Sequence, residues 1–568
     1  MATLASTVRV LQLLAFALPL LLGAGHSCLA QAANQAPAQA TAQATAQATA
    51  QATPKATTLR IASAFDPQTM DPHALALLYH SRIAFQVYDC LVNRDAQFRL
   101  EPALATSWQM LSATTWRIKL RAGVRFHDGT AFTADDAAFS INRALGPTSQ
   151  RSFSLKGLVA VKKIDDLTID FVLAAPDAVW PEKLLSVAMM SQAWSQRHGV
   201  EKAQDFNGKQ ETFAIRNANG TGPFRLLKYE PDVRTQLERH AGWWGVAAQA
   251  AGPSATAPAQ RLGNLDSVSF VNIRADATRL SALASGEVDL VLDPPFQDVA
   301  RLKVDARLTL LSTPDIGTQY FTFDQARDEL LHGDVKDRNP FKDRRVRQAV
   351  AHALNIDLII DKVLRGQATP AGSFISPRVD GYLAEIDKRI RYDPVRAKAL
   401  LAEAGYPTGF GVTLDCVNVG YREAVCQAAT AMLAQVGLRV SLRSSPTNQF
   451  FPKLSQGAAS FIEFGWTPTT DAWSTLNGLV RSWDATGLGT FNAGRYSNPQ
   501  LDALIDAVRT EPDMTQRRAR IGVALRLIND DLPYIPLYRR TLNWAMAKKV
   551  KAVQWPNDQI ELRWVTVQ

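Results

Sequence analysis

The stretch that decides the fold runs from residue 116 to residue 136 and reads WRIKLRAGVRFHDGTAFTADD. Its first part alternates Trp116, Ile118 and Leu120 with charged residues, and this period of two predicts a half-buried β-strand. Asp128-Gly129 then supplies a turn, and the Asp135-Asp136 pair lies beside a helix start. A strand, a turn and a helix therefore follow one another closely in this part of the chain.

The same alternation of strand and helix patterns continues along the chain. Apolar residues recur with a period of two at 167–173 and 438–442. Helix starts are marked by Asp343, by Asp393 with Pro394, and by Asn498 with Pro499, where a polar side chain can accept hydrogen bonds from the first backbone N–H groups. The pattern predicts an α/β protein, and the length beyond residue 56 corresponds to about three domains or lobes.

The first thirty residues have the three parts of a secretory signal peptide. Arg9 is the single charge, an apolar stretch covers 10–25, and the small residues Cys28 and Ala30 allow cleavage after Ala30. The apolar stretch is shorter than the roughly 20 residues of a membrane-spanning helix. We therefore expect 1–30 to be a signal peptide and the protein to be periplasmic. An uncleaved anchor is one alternative; a lipoprotein at Cys28 is another, although the leucine usual three residues ahead is missing.

Residues 31–56 form a low-complexity arm of repeated Ala-Gln-Ala-Thr, a composition that predicts disorder. No later apolar run has spanning length, so we expect the remainder to be soluble. The formal net charge of +9 is spread along the chain without a basic run, which argues against a nucleic-acid partner.

The cysteines predict one disulfide, and the absence of familiar catalytic motifs favours a binding protein over an enzyme. In an oxidising compartment Cys416 and Cys426 are a candidate disulfide, and Cys90 is expected to be a buried small apolar residue. There is no Gly-x-Ser-x-Gly, His-Glu-x-x-His, phosphate-binding loop or Cys-x-x-Cys. Paired acids beside helix starts and turns favour capping. We expect no catalytic residue, no metal and no cofactor, with an unfamiliar enzyme as the alternative.

At this point the sequence resembles a known family, the bacterial extracellular solute-binding proteins of family 5, which are peptide- and nickel-type receptors of ABC importers. The resemblance runs nearly end to end from Leu59, and residues 116–136 are its most specific part. The other blocks, in family order, are QTMDP at 68–72, VYD at 87–89, PALATSW at 102–108, GTGPF at 220–224, SGEVD at 285–289, FKDRRVRQA at 341–349, LLAEAGYP at 400–407, RYSNP at 495–499 and DLPYIPL at 531–537.

The resemblance implies a periplasmic-binding-protein fold: two α/β lobes joined by two crossing segments, with an extra domain inserted in the first lobe. We expect the first lobe at 57–104, 218–318 and 533–568, the inserted domain at 105–217, and the second lobe at 319–532. The crossings are expected near 312–323 and 532–538.

The implied function is that of an exported receptor, which captures a peptide or peptide-like solute between the lobes and delivers it to an importer. Its partners would be the solute and the permease and ATPase subunits of that importer, and we expect a monomer. The lobes would close on the ligand by a hinge motion, and the importer would recognise the closed form. A non-transport sensor or chaperone on the same scaffold is the alternative.

One departure from the family pattern leaves the ligand open. Peptide-binding relatives place an acid, which holds the ligand ammonium, three residues after the Trp of a Gly-Trp motif. Here the motif is Gly465-Trp466 and the third residue on is Thr469. Asp471 could serve if the loop is shifted, or it could cap the following helix through Ser474. In the second case a blocked peptide, an opine, a sugar conjugate or a metal chelate becomes a candidate ligand.

Several of the remaining candidate ligand-binding residues also have a structural interpretation. Trp466 and Trp473 could instead pack in the core, and Gly222 could serve only the backbone conformation. Arg495 could instead form a surface ion pair. These candidates are Phe65, Asp66, Thr221, Gly222, Trp466, Thr467, Trp473 and Arg495.

Overall fold

A computed structural model describes residues 56–246, 263–418, 420–468, 471–484 and 488–568. The expected signal peptide and all but the last residue of the expected disordered arm lie outside this part, as does Thr469. Within the described ranges, no helix has the length and apolar character needed to cross a membrane.

The strands are β1 (Thr58–Ser63), β2 (Val92–Arg94), β3 (Leu100–Pro102), β4 (Ala105–Ser112), β5 (Thr115–Leu120), β6 (Leu158–Asp165), β7 (Thr168–Leu173), β8 (Phe224–Glu230), β9 (Arg234–Arg239), β10 (Ser267–Asn272), β11 (Leu290–Leu292), β12 (Leu308–Pro314), β13 (Thr318–Phe323), β14 (Ala368–Pro370), β15 (Gly411–Val417), β16 (Arg439–Ser445), β17 (Phe461–Trp466), β18 (Tyr534–Ala547), β19 (Val550–Lys551) and β20 (Thr566–Val567). The strands expected around 116–120, 167–173 and 438–442 are present as β5, β7 and β16.

The helices are α1 (Leu78–Val87), α2 (Ala134–Leu145), α3 (Trp180–Lys183), α4 (Gln192–Arg197), α5 (Asp276–Ser285), α6 (Phe296–Val304), α7 (Arg344–Ala353), α8 (Ile356–Lys362), α9 (Pro394–Glu403), α10 (Gly420–Ala434), α11 (Thr447–Ser455), α12 (Ala472–Thr475), α13 (Pro499–Thr510) and α14 (Met514–Asp531). The expected caps are confirmed: Asp343, Asp393 and Asn498 accept hydrogen bonds from the first backbone N–H groups of α7, α9 and α13.

The two lobes share one long sheet, ordered β16-β15-β17-β13-β18-β11-β1-β10-β9-β8, with β12 and β14 also paired to β18. In the first lobe β1 lies parallel to β10 and β11, and their apolar residues pack into one buried cluster with Trp544. In the second lobe β15 lies parallel to β16 and β17, and a separate buried cluster surrounds Phe321 and Phe461. The expected two-lobed α/β fold is confirmed.

The crossing between the lobes is made by β18 and by the segment that joins β12 to β13. Residues 534–538 of β18 pair with β13 of the second lobe, whereas residues 541–547 pair with β12 of the first. Because β14 also pairs with residues 538–540, we propose that the chain crosses at 539–541 and at 315–317. We therefore also propose that the last first-lobe segment begins several residues after the expected residue 533.

An extra four-stranded sheet, ordered β4-β5-β7-β6, interrupts the first lobe. With α2 it encloses a third buried cluster that contains Trp116, Phe126 and Phe171. Thr133 begins α2 through a capping box with Asp136, whose carboxylate accepts a hydrogen bond from the Thr133 N–H at 3.0 Å. Residues beyond Met189, among them Met190, Trp194 and Ala214, pack instead on the first-lobe cluster, so we propose that the inserted domain ends near Met189 and not at 217.

Cys416 and Cys426 form a disulfide that ties the end of β15 to α10, with Cα atoms 6.7 Å apart. Both residues are buried in the second-lobe cluster. Cys90 is a buried free thiol.

Candidate ligand-binding site

A cavity of about 900 Å³ lies between the lobes, where the crossing segments meet them. The first lobe lines it with residues from the end of α1 and from 557–561, and the inserted domain with residues 151–157 and 174–175. The second lobe contributes the end of β17, α12 and residues 488–491. A volume of this size is within the range of cavities that enclose small organic ligands.

Aromatic rings form much of the second-lobe wall. Trp466 packs against Phe491 with ring centroids 5.1 Å apart, and its Nε1 donates a hydrogen bond to the Thr475 hydroxyl at 3.0 Å. Trp473 donates to the carbonyl of Ile505 at 3.1 Å, which holds its indole in place. Because both Nε1 donors are already used, the rings present apolar area to the cavity.

The crossing segments place an ion pair on the cavity wall. Asp315 lies between β12 and β13, and Arg540 lies in β18 where that strand changes lobes. The Arg540 guanidinium donates to the Asp315 carboxylate at 2.9 Å. Asp315 also accepts a hydrogen bond from the backbone N–H of Gly317 at 2.7 Å. The pair therefore links the two crossing strands at the point about which the lobes would rotate.

Most acids on the cavity wall already have a cation partner. Asp558 lies 2.6 Å from Arg82, and Glu561 lies 2.9 Å from Arg563. Glu182 lies 3.5 Å from Arg94.

Asp89 is the exception among the described acids of the wall. No Lys or Arg in the described ranges lies within ion-pairing distance of it. One of its carboxylate oxygens accepts hydrogen bonds from the Thr221 hydroxyl at 3.0 Å and from the Trp244 indole at 2.7 Å. Burial raises the pKa of Asp89 to about 6, and these hydrogen bonds oppose the shift.

The structure brings three of the expected site residues together in the cavity: Trp466, Thr467 and Trp473. Trp466 ends β17, Thr467 follows it, and Trp473 lies in α12, so the three residues are close together along the chain. Thr469, the residue at the family's acid position, lies outside the described residues.

Asp471 does not line the cavity and is committed to structural partners. One carboxylate oxygen accepts a hydrogen bond from the Ser474 backbone N–H at 3.2 Å, which caps α12. The other forms an ion pair with Arg517 of α14, and the side chains of both residues are almost fully buried. Of the two interpretations of Asp471, this geometry favours helix capping over a ligand anchor.

Phe65 and Asp66 lie in a different place from the cavity. They line a recess of about 10 Å³, which is room for about one water molecule. Phe65 stacks on Tyr79 with ring centroids 5.2 Å apart. Asp66 accepts hydrogen bonds from the Tyr229 hydroxyl and from the Asp232 backbone N–H. These contacts tie the end of β1 to the β8–β9 hairpin.

Thr221 and Gly222 pack beneath the cavity wall. The Thr221 hydroxyl donates its hydrogen bond to Asp89. Gly222 has an ordinary negative φ, but a Cβ at this position would lie 2.6 Å from the Gln86 carbonyl oxygen. The glycine is therefore required by the close approach of the end of α1.

Arg495 is also outside the cavity lining. Its guanidinium lies over the Trp483 ring at 4.0 Å from the centroid, so it makes a cation–π contact on the second lobe.

Charged residues of the cavity were missed by sequence reasoning. Arg151 and Arg509 are the clearest cases, since both line the cavity. Arg151 lies in an irregular stretch of polar residues, and Arg509 lies at the end of an amphipathic helix where cations are ordinary. Neither position carries a signal that would separate it from a surface arginine.

Two α/β lobes on a double crossing, with a cavity between them lined by both, define a receptor that encloses a small solute. A comparison with family models matches residues 99–487 to "Bacterial extracellular solute-binding proteins, family 5 Middle". The chain belongs to this family.

Individual relatives agree with that assignment. The glutathione-binding protein GsiB of Escherichia coli K12 is 26% identical over 496 residues, covering 85% of this chain and 89% of the relative. Heme-binding protein A of Haemophilus influenzae is 28% identical over 483 residues, covering 80% and 81%. The structure of DppA from Helicobacter pylori, in complex with the peptide STSA, matches with a TM-score of 0.72 at 24% identity, covering 90% of this chain and 98% of that one.

Proposed function

We propose that this protein is the periplasmic receptor of an ABC importer and that it captures a peptide or peptide-like solute. The observation that carries the proposal is the cavity of about 900 Å³ lined by both lobes and by both crossing segments. A ligand there contacts both walls at once only when the lobes are together. Its contacts therefore stabilise the closed form, which the importer's permease can distinguish from the open one.

The chemistry of the wall supports a peptide-like ligand. It combines the apolar faces of Trp466 and Trp473 with charged groups, including Asp89, that are not compensated within the protein. Apolar rings accept varied side chains, while fixed polar groups orient a backbone or a terminus. The relatives described above are a glutathione-binding protein, a heme-binding protein and a protein in complex with a peptide, and these ligands combine carboxylates with apolar or amide groups.

The wall also supports binding without a chemical step. The described acids of the wall are engaged by the protein itself: Asp315, Asp558, Glu182 and Glu561 form ion pairs with arginines, and Asp89 accepts hydrogen bonds from Thr221 and Trp244. We further propose that the chain acts as a monomer after removal of residues 1–30.

Ligand capture tests the proposal. The protein is exported and recovered from the periplasm of the organism that encodes it, and native mass spectrometry measures any retained solute. Small-angle scattering then compares protein with and without the recovered solute. We expect a retained small molecule, and compaction when it is added back. A Trp466→Ala variant should bind it at least about tenfold more weakly, because a buried aromatic contact is lost.

The matched control is Trp483→Ala, which removes an indole of the same lobe outside the cavity lining. Equal binding by the two variants would contradict the placement of the site. Absence of compaction with saturating solute would contradict closure.

A further inference from the structure

Arg151 differs from the other buried arginines that the structure describes. The side chains of the others lie within ion-pairing distance of a carboxylate; they are Arg82, Arg94, Arg143, Arg279, Arg347, Arg517 and Arg539. Arg151 is 5% exposed, and no described carboxylate lies within that distance of its guanidinium. A buried charge without a partner is costly, so the position calls for an explanation.

The surroundings of Arg151 satisfy its guanidinium only in part. Nη2 donates a hydrogen bond to the Ser81 hydroxyl of α1 at 2.7 Å, and the ring of Phe85 lies 5.4 Å from the guanidinium carbon. Nε is buried without a hydrogen-bond partner in the described part of the chain. Burial lowers the pKa of Arg151 to about 10, so the group stays positive at neutral pH.

Arg151 also lines the cavity. Arg151, Ser81 and Phe85 all belong to the cavity wall. Arg509 of the second lobe belongs to the same wall, and no described carboxylate lies within ion-pairing distance of it either. The cavity therefore holds cationic groups without a protein counter-ion, whereas its acids other than Asp89 are paired.

We propose that Arg151 is the anchor for a carboxylate of the ligand, and that the solute class of this receptor is carboxylate-bearing. This inference rests on the proposed function. A planar guanidinium can match a carboxylate in two parallel hydrogen bonds, and Nε of Arg151 has no hydrogen-bond partner among the described residues. The ligand would supply the counter-ion that the fold omits, and Ser81 would hold the guanidinium in place meanwhile.

Capture of a solute from two forms of one extract tests whether the ligand must carry a carboxylate. Ligand-free wild-type protein is incubated with a small-molecule extract of the organism that encodes it, and with the same extract after conversion of carboxylates to methyl esters. Native mass spectrometry measures the bound solute. We expect capture from the untreated extract and loss of capture from the esterified one. A phosphatase-treated extract distinguishes phosphate, which a guanidinium also binds.

Variants of Arg151 test the residue. Arg151→Gln keeps a donor for Ser81 and should reduce affinity for the captured solute about tenfold to hundredfold, because a charge-assisted hydrogen bond is lost. Arg151→Lys keeps the charge without the fork and should fall between Gln and wild type. Arg60→Gln, which removes a half-exposed guanidinium away from the cavity, is the control and should bind like wild type.

The unfolding temperature of the ligand-free variant distinguishes a ligand-anchoring role of Arg151 from a structural one. Ligand-free Arg151→Gln should unfold at the wild-type temperature or above it, since no carboxylate is left unpaired. A marked drop in the unfolding temperature together with lost capture would show a structural role and overturn the inference. Equal capture from the untreated and esterified extracts, or loss only after phosphatase treatment, would also overturn it while leaving the receptor function intact. Capture of nothing by wild type from either extract would refute the receptor function itself.

Discussion

Replacement of Asp471 should destabilise the second lobe and leave the ligand site in place. The Asp471 carboxylate caps α12 and neutralises Arg517, and the Arg517 side chain is 0% exposed. Asparagine is a good N-cap, so Asp471→Asn keeps the first role and loses the second. Removal of one partner from a buried ion pair costs about 3–5 kcal/mol. Asp471→Ala should cost about 1 kcal/mol more, because the cap is lost as well.

Urea unfolding of the ligand-free protein, followed by tryptophan fluorescence, measures the free energy of unfolding. A double variant, Asp471→Asn with Arg517→Met, removes both charges and should recover part of the loss, since no unpaired charge remains buried. Affinity for the captured solute should change less than about threefold in Asp471→Asn. The reasoning is refuted if Asp471→Asn unfolds like wild type but binds its solute at least about tenfold more weakly, because that result would make Asp471 a ligand anchor.

Two further predictions concern the cavity wall at Asp89 and the layer beneath it at Gly222. The pKa of Asp89 is raised to about 6 in the folded protein and is about 4 in the unfolded chain. Between about pH 4 and about pH 6 the folded protein therefore holds a proton on Asp89 that the unfolded chain has lost. Asp89 should therefore lower stability as pH rises from about 4 to about 6, and Asp89→Asn should flatten that part of the stability profile in thermal unfolding; an unchanged slope would contradict the shifted pKa. Gly222→Ala should destabilise by about 1–3 kcal/mol, because its Cβ would meet the Gln86 carbonyl oxygen at 2.6 Å. Gly420→Ala, where no atom lies within 4 Å of the added Cβ, is its matched control and should show no comparable loss.

Local features were predictable wherever a few neighbouring residues decide them. The strand at Thr115–Leu120 follows from alternation, and the helix starts at Asp343, Asp393 and Asn498 follow from side chains that accept nearby N–H groups. The two-lobed fold came from the resemblance carried by residues 116–136 and the other blocks. The place where β18 changes lobes was less predictable, since a single uninterrupted strand gives no local sign of which strands it pairs with.

The candidate site was predictable only in part. Trp466, Thr467 and Trp473 lie within eight residues of one another, at the end of β17 and the start of α12, so one correct assignment brought all three to the cavity. Thr221 and Asp66 contact Asp89 and Tyr229, which are far away in sequence, and those contacts take them out of the site.

From its sequence alone this protein is an α/β chain with the pattern of an exported solute receptor, because composition, periodicity and local motifs act over short distances along the chain. Only the tertiary structure decided which charges are compensated. Asp471 meets Arg517 across 46 residues, and Arg151 meets no carboxylate in the described part of the chain. Whether a buried charge belongs to the scaffold or to a ligand depends on partners that the fold brings together, and spacing along the sequence does not contain that information.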